Sequence, residues 1–598
     1  MEQDPPLHIY QKLLFEHEHA LRKLKARRTL LGWLRLTVLL LIVGALYLLW
    51  SSDLLLLATI LIIGVAVFLV VLSADQKNKA LISNTETLID INREEMAIGR
   101  HDFLQRPSGL EFLPPTHEYA ADLDIFGRAS IFQYINRTNS EQGKALMARW
   151  LLDISSPEAI LERQLAAKEL SAKTKWRQQF QAHTKNNPLT IATGTNVEQW
   201  VTGPNSFNGP RWRLLSYFLP GIAILSIVLA LAGRLPSPVL VPILFIFFVY
   251  GLYVTSKVMP DYNQLGKIAT QLNSLSATLV WIEDEVMQAP HLQKLKSQLG
   301  GHSVPASAVI KQLSGILNRM DYRLNPVVFI PLNTILQWDL QHALQLERWK
   351  AKYGDAVQSW FSVLAEWETI ATLATFDFNH PDYCVPEITN TPGVFISREL
   401  GHPLLTEEQR VTSSYSTSGL TQITIITGSN MAGKSTFLRS VGVNIVLSMM
   451  GAKACAKSLT LSHQKVISSM RITDNLEENT STFYAELKKL KDVIERVKRH
   501  ENVFLLLDEM LRGTNSLDRH TGSKALIKQL ITENAVGIIA THDLELARLA
   551  EDYPDHITNY HFDVQVENDE LFFDYKLKTG VCTSMNASIL MKKIGIDL

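Results

Sequence analysis

The chain has 598 residues, with 58 Lys and Arg against 59 Asp and Glu, a formal net charge of -1 and three cysteines. That length exceeds one ordinary core and implies several domains, and the balanced charge excludes a chain-wide basic footprint for nucleic acid while leaving room for a local one. Cys384, Cys455 and Cys582 are too far apart in sequence for a zinc-type cluster or a disulfide framework, which fits a reducing compartment.

In chain order, residues 1–29 read as a short, basic, amphipathic helix. Leu36–Ser52 and Leu54–Ala74 carry no charge, with only Asp53 between them. Leu214–Gly233 and Leu235–Ser256 form a second such pair around Arg234. Three of the four runs reach the ~20 residues that cross a bilayer as helix, and Arg35 could lengthen the shorter first run by snorkelling. Buried core helices or a signal peptide are the alternatives. A second apolar run following at once, and Tyr47 and Trp50 at the end of the first, argue instead for two membrane hairpins, at 30–74 and 214–256. Arg22, Lys23, Lys25, Arg27 and Arg28 precede the first hairpin and Lys77 and Lys79 follow it; Arg211 and Arg213 precede the second and Lys257 follows it. The positive-inside rule then puts the N-terminus and both large polar regions in the cytoplasm, for a multi-pass protein of the cell (inner) membrane.

Between and after the hairpins the periodicity is helical. Residues 75–120 begin as helix and become a Pro-containing linker; 121–213 and 257–400 read as two parts of one helical core, with long amphipathic stretches at Leu265–Met287 and Leu332–Leu373. From 401 to 598 short β-rich runs (Gln422–Ile426, Val503–Leu507, Val536–Ala540) alternate with helices, predicting an α/β domain with a mainly parallel sheet.

One strand of that domain runs into Gly428-Ser429-Asn430-Met431-Ala432-Gly433-Lys434-Ser435, a G-x-x-x-x-G-K-[ST] match with a helical pattern from Thr436 behind it. The glycines let backbone N–H groups wrap phosphates and the helix N-terminus adds its positive end. In that setting Lys434 is expected on the β- and γ-phosphates of ATP and Ser435 on Mg²⁺. Asp508 and Glu509 end the apolar run Phe504–Leu507, where the aspartate is placed to hold Mg²⁺ and the glutamate to orient or deprotonate a water. His542, at the end of the next apolar run, is a candidate sensor of the γ-phosphate.

These strings resemble the MutS mismatch-repair family, a branch of the ABC-type ATPases. Thr427–Thr436 is similar to its phosphate loop, with Ser429 where proline is usual; Met470–Leu476 with Ser481–Leu487 to its signature segment; Asp508-Glu509 with Arg512–Ser516 to its magnesium strand; Ala540–Asp543 to its switch histidine. In all, the resemblance covers roughly 121–210 and 260–598, taking in the family's helical core and levers, and is very specific from 421 to 543. The resemblance implies a dimer with each ATP between one subunit's phosphate loop and the other's Ser481, although Ser481 also reads as a helix cap. It implies DNA, mismatched or branched, as the ligand of the levers. Two departures point elsewhere: no Phe is followed by Glu two residues on, as the family's mismatch-reading motif requires, and the second hairpin falls about where the family inserts its DNA clamp. The expectation is thus a membrane-anchored homodimeric ATPase acting on DNA or, alternatively, on a membrane or protein partner. A transporter fits poorly, since neither hairpin carries an ionisable residue within its spans.

Overall fold

The computed structural model describes residues 5–50, 54–207, 209–300, 304–429, 432–470, 482–499, 501–567 and 570–582. It has a helical N-terminal region and a C-terminal mixed α/β domain.

The chain opens with two long helices, Pro6–Leu48 and Leu54–Gly99. They lie antiparallel, as the contacts Leu24 to Asn78, Lys25 to Glu86 and Arg93 to Glu18 require. The short basic helix expected at 1–29 is therefore continuous with the apolar run behind it. Arg35, at the polar edge of the first apolar run, pairs with Asp75 at 3.1 Å. The open end of this pair is anchored by buried polar groups. Glu95 accepts from Arg137 Nε at 2.5 Å and from Asn379 Nδ2 at 2.8 Å, while the Tyr10 hydroxyl donates to Asn379 Oδ1 at 2.7 Å.

The helical body follows: Ile131–Ile135, Glu141–Leu152, Pro157–Ser171, Thr174–Asn186 and Ile191–Thr202, then the apolar pair Pro210–Leu231 and Ser237–Leu265. Ser140, Ser156 and Thr190 start three of these helices by accepting a hydrogen bond from the backbone N–H three residues on. After the apolar pair come Ala269–Asp284, Pro290–Leu299, Ala306–Met320, Pro326–Leu336 and the 42-residue helix Trp338–Asn379. The stretch expected to run as one helix from Leu332 to Leu373 is broken at Gln337, whose φ of 51° and ψ of 51° lie in the left-handed region. Among the described residues, 257–330 form no separate lobe: Leu272, Leu279, Leu292 and Leu317 share one core with Trp349, Trp360 and Trp367 of the long helix. Among the described residues four helices, Pro6–Leu48, Leu56–Gly99, Pro210–Leu231 and Ser237–Leu265, are long and apolar enough to cross a membrane.

The α/β domain has ten strands: β1 (Glu387–Thr389), β2 (Val394–Leu400), β3 (Ser413–Ser418), β4 (Gln422–Thr427), β5 (Ser458–Ser462), β6 (Lys465–Ser469), β7 (Val503–Asp508), β8 (Val536–Thr541), β9 (Ile557–Glu567) and β10 (Glu570–Thr579). The main sheet has the order β10-β9-β4-β8-β7-β6, parallel except for the β9–β10 pair. Strands β7 and β8 are buried along their whole length, which is why they read as unbroken apolar runs rather than alternating ones. A second, four-stranded sheet, β1-β5-β2-β3, was not foreseen from the sequence; its strands are short and polar in parts, as in Ser413–Ser418.

One face of the main sheet shares its core with the helical body. At the junction a Cβ on Gly442 would meet Leu123 at 2.7 Å and Leu506 at 2.8 Å, so glycine is what lets the helix Lys434–Met450 pass between body and sheet.

Candidate functional site

The residues singled out from sequence converge at the C-terminal ends of three adjacent parallel strands, β4, β8 and β7. The β4 strand ends at Thr427, and the chain turns through Gly428 to Gly433 into the helix Lys434–Met450. Gly428 has a φ of 146°, and a Cβ there would meet the Phe562 carbonyl at 2.7 Å; Gly433 has a φ of 107°. Both positions thus require glycine. Ala432 is buried and Thr436 lies in the first turn of the helix. Asn430, Met431 and Ser481 lie outside the described residues.

Lys434 is buried, and its ammonium donates to the carbonyls of Gly428 at 2.6 Å and Ser429 at 2.9 Å. Burial pulls its pKa down, opposed by Glu509 and Asp508 nearby. The loop is therefore curled around a fixed cation. The Ser435 hydroxyl donates to Asp508 Oδ2 at 2.6 Å, across from β4 to β7. Burial pushes the Asp508 carboxyl up, and the Ser435 hydrogen bond and the Arg512 and Lys434 charges pull it back. Glu509 sits just past β7 at a φ of 52°, a strained backbone for a non-glycine residue. Its carboxylate is 3.5 Å from His542 Nδ1 and 3.3 Å from Arg512 Nε. His542, just past β8, is half-exposed, so it faces both Glu509 and the open side of the site.

Two residues of the site carried no assigned role in the sequence. Arg512 donates to the Asp508 carbonyl at 3.0 Å and lies against both acidic side chains. Glu486 caps the turn after the acidic pair, accepting from the backbone N–H groups of Leu511 at 2.5 Å and Arg512 at 3.1 Å. Both lie in segments that resemble the family, Arg512 in Arg512–Ser516 and Glu486 in Ser481–Leu487, but the resemblance assigns neither a contact. The helix Thr482–Lys498 also shows where part of its basic run goes: Lys489 pairs with Asp122 at 2.9 Å and Arg496 with Glu118 at 2.9 Å.

A buried ammonium beside a glycine-shaped loop at a helix N-terminus suits a polyphosphate. The Ser435 and Asp508 oxygens, brought together beside it, are the hard donors that Mg²⁺ takes while keeping most of its waters. No group of three or more His, Cys, Asp or Glu positioned to hold a metal occurs among the described residues. One carboxylate and one hydroxyl fit a cation that is shared with phosphate oxygens rather than caged by protein.

The family model for MutS domain V matches residues 424–594, which contain this whole constellation. Over 217 residues the chain is 30% identical to MutS protein homolog 4 of Homo sapiens, covering 34% of this chain and 22% of that protein. It is 29% identical over 252 residues to the DNA mismatch repair protein MutS of Natronomonas pharaonis, covering 40% and 29%. Against the protein of the same description from Finegoldia magna it is 32% identical over 206 residues, covering 33% and 24%. The chain thus spans less than a third of the length of these curated relatives. The likeness to the MutS family thus rests on this C-terminal domain, which matches MutS domain V.

Proposed function

We propose that the protein is a Mg²⁺-dependent ATP hydrolase, anchored by its two apolar hairpins in the cell (inner) membrane, with its N-terminus and α/β domain in the cytoplasm, and working as a homodimer. The observation that carries the hydrolase reading is the meeting of Lys434, Ser435, Asp508, Glu509 and His542 at the ends of three neighbouring strands. Backbone N–H groups of 428–433 and the Lys434 ammonium bind the β- and γ-phosphates. Ser435 and Asp508 hold Mg²⁺, which supplies charge neutralisation of the phosphates. Glu509 orients the attacking water and accepts its proton; Arg512 and His542 hold the Glu509 carboxylate in place, and His542 reports on the γ-phosphate end. Ser481 of a second subunit completes the nucleotide's enclosure, so that ATP joins two α/β domains and its loss separates them. Lys434→Ala tests this reading: purified protein should lose ATP binding in equilibrium dialysis, and undiminished binding would contradict it.

The relatives described as DNA mismatch repair proteins support DNA, mismatched or branched, as the ligand moved by this engine. Gel shifts of the detergent-solubilised protein on homoduplex, mismatch and junction DNA decide it. Salt-sensitive binding supports the reading and its absence at every substrate ends it. A second reading, action on the membrane or on a membrane protein without DNA, is favoured by a specific observation. The long helix Trp338–Asn379 meets the α/β domain at one end, through Lys453 and Asp377 at 3.2 Å, and the second hairpin at the other, through Asp339 and Thr255 at 2.7 Å. Nucleotide-dependent crosslinks from the hairpin to membrane partners would support that reading.

A further inference from the structure

The helix Pro326–Leu336, with the sequence PVVFIPLNTIL, contains no charged residue. It is 11 residues long, about 16 Å of helix, which is roughly half of a ~30 Å hydrocarbon core and too short to cross it. Asn333, one of its two polar side chains, and Gln337 just past its end are tied to the second hairpin. Asn333 is buried and donates to Thr255 Oγ1 at 3.3 Å, and Gln337 just beyond donates to the Phe247 carbonyl at 3.2 Å. A Cβ on Gly251 would meet Asn333 Nδ2 at 2.8 Å, so the hairpin is notched by a glycine where this helix presses on it.

The remaining face is apolar and uncovered. Val327 is 83% exposed, Leu324 74% and Ile330 47%. In water such a face would be costly at about 25 cal/mol per Å² of apolar surface. Its depth is fixed by its contacts: Gly251 and Phe247 lie about 7 and 14 Å inside the cytoplasmic end of the apolar run that stops at Ser256, at 1.5 Å per residue. The face is also continuous with the exposed apolar side chains of the hairpin itself, such as Phe245, Ile246 and Val249.

We propose that Pro326–Leu336 is a half-helix embedded in the cytoplasmic leaflet, covered by lipid acyl chains and seated on the second hairpin. This rests on the reading that the hairpin crosses the bilayer. Gln337 then turns the chain back at membrane depth, and the long helix Trp338–Asn379 starts there. Asp339, fully buried, receives Arg323 Nη2 at 2.9 Å and the Thr255 hydroxyl at 2.7 Å, locking the turn to both the half-helix approach and the hairpin. The lever of the molecule accordingly has its far end in lipid rather than in solvent.

The test uses full-length protein with Cys384, Cys455 and Cys582 replaced by alanine, reconstituted in phosphatidylcholine vesicles and carrying one environment-sensitive fluorophore on V327C, I330C, L225C or E407C. Leu225 lies on the exposed face of the second hairpin and Glu407 on the surface of the α/β domain. Doxyl-labelled phosphatidylcholine should quench most of the emission at 327, 330 and 225 and leave 407 unchanged. Quenching at 225 without quenching at 327 and 330 overturns the half-helix while sparing the anchored hairpin, even if those two labels are shielded from water by a protein partner. Loss of quenching at all of 225, 327 and 330 overturns both.

Discussion

The α/β domain and the helical body use buried charge in opposite ways. In the α/β domain it converges: Lys434, Asp508 and Glu509 come from different strand ends to one place and are only partly compensated there, by Ser435, Arg512 and His542. In the helical body it is matched in closed sets. Glu95 meets Arg137, Arg323 meets Asp339, and the buried Glu368 carboxylate is surrounded by the Ser140 hydroxyl and the backbone N–H groups of Asn139 and Ser140. Charges brought together without full pairing mark a place for a charged ligand; charges paired to completion hold helices in register. The closed sets lie where the long helix meets its neighbours, so the body reads as the mount and transmission for a site built elsewhere.

The largest expected effects separate the two regions. Asp508→Asn should lower ATP turnover by about 10²-fold or more, on the scale of losing a group that positions a transition-state charge. Asp339→Asn in the body should leave basal turnover unchanged while loosening the hairpin junction, read by weaker doxyl-lipid quenching of a fluorophore on V327C. Equal losses of turnover from both would dissolve the distinction.

Next in size is stability. Glu95→Gln leaves the Arg137 guanidinium buried without its partner, and unfolding of the helical body should become easier by about 3–5 kcal/mol, measured by denaturant titration. Gly442→Val would drive methyl groups into Leu123 and Leu506 and should cost about 1–3 kcal/mol by overpacking. A tolerant Gly442 would mean that the body and the α/β domain do not share one core.

Smaller effects should follow pH. Burial, aided by Arg410, drops the His380 pKa to about 3, and burial with Arg439 drops His402 to about 4, from an ordinary 6.5. Between those values and 6.5 the unfolded chain binds more protons than the folded one, so stability should fall as pH is lowered from 6.5 toward 4 and be fully regained above 6.5. His380→Gln should flatten that slope. At the site, burial raises the Asp508 pKa, so protons compete with Mg²⁺ there more strongly than at an ordinary aspartate. The Mg²⁺ concentration for half-maximal turnover should therefore rise on acidification.

The site was legible because its parts are local: Gly428–Ser435 is one contiguous loop, and Asp508-Glu509 ends a fully buried strand whose apolar run stands out. Arg512 and Glu486 were not, since their roles come from side chains meeting across the chain rather than from spacing. The helical body was legible as helix but not in its breaks. A left-handed residue at Gln337 interrupts a stretch whose apolar pattern continues without a seam, and no glycine marks the place. Pro326–Leu336 gives no span signal for a related reason: at 11 residues its apolar run falls below the ~20 that signal a span. The helices Pro6–Leu48 and Leu54–Gly99 each read as separate pieces in the sequence because composition changes along them between polar and apolar, while each helix runs on unbroken.

The most direct test of the central claim is single-turnover and steady-state ATP hydrolysis by the vesicle-reconstituted protein and its Glu509→Gln variant. If Glu509 prepares the attacking water, the wild type turns over only with Mg²⁺, and the variant binds ATP normally, accumulates as an ATP-bound dimer and loses about 10²–10⁴-fold in rate. Hydrolysis by Glu509→Gln at the wild-type rate, or none by the wild type with Mg²⁺ present, would contradict the account.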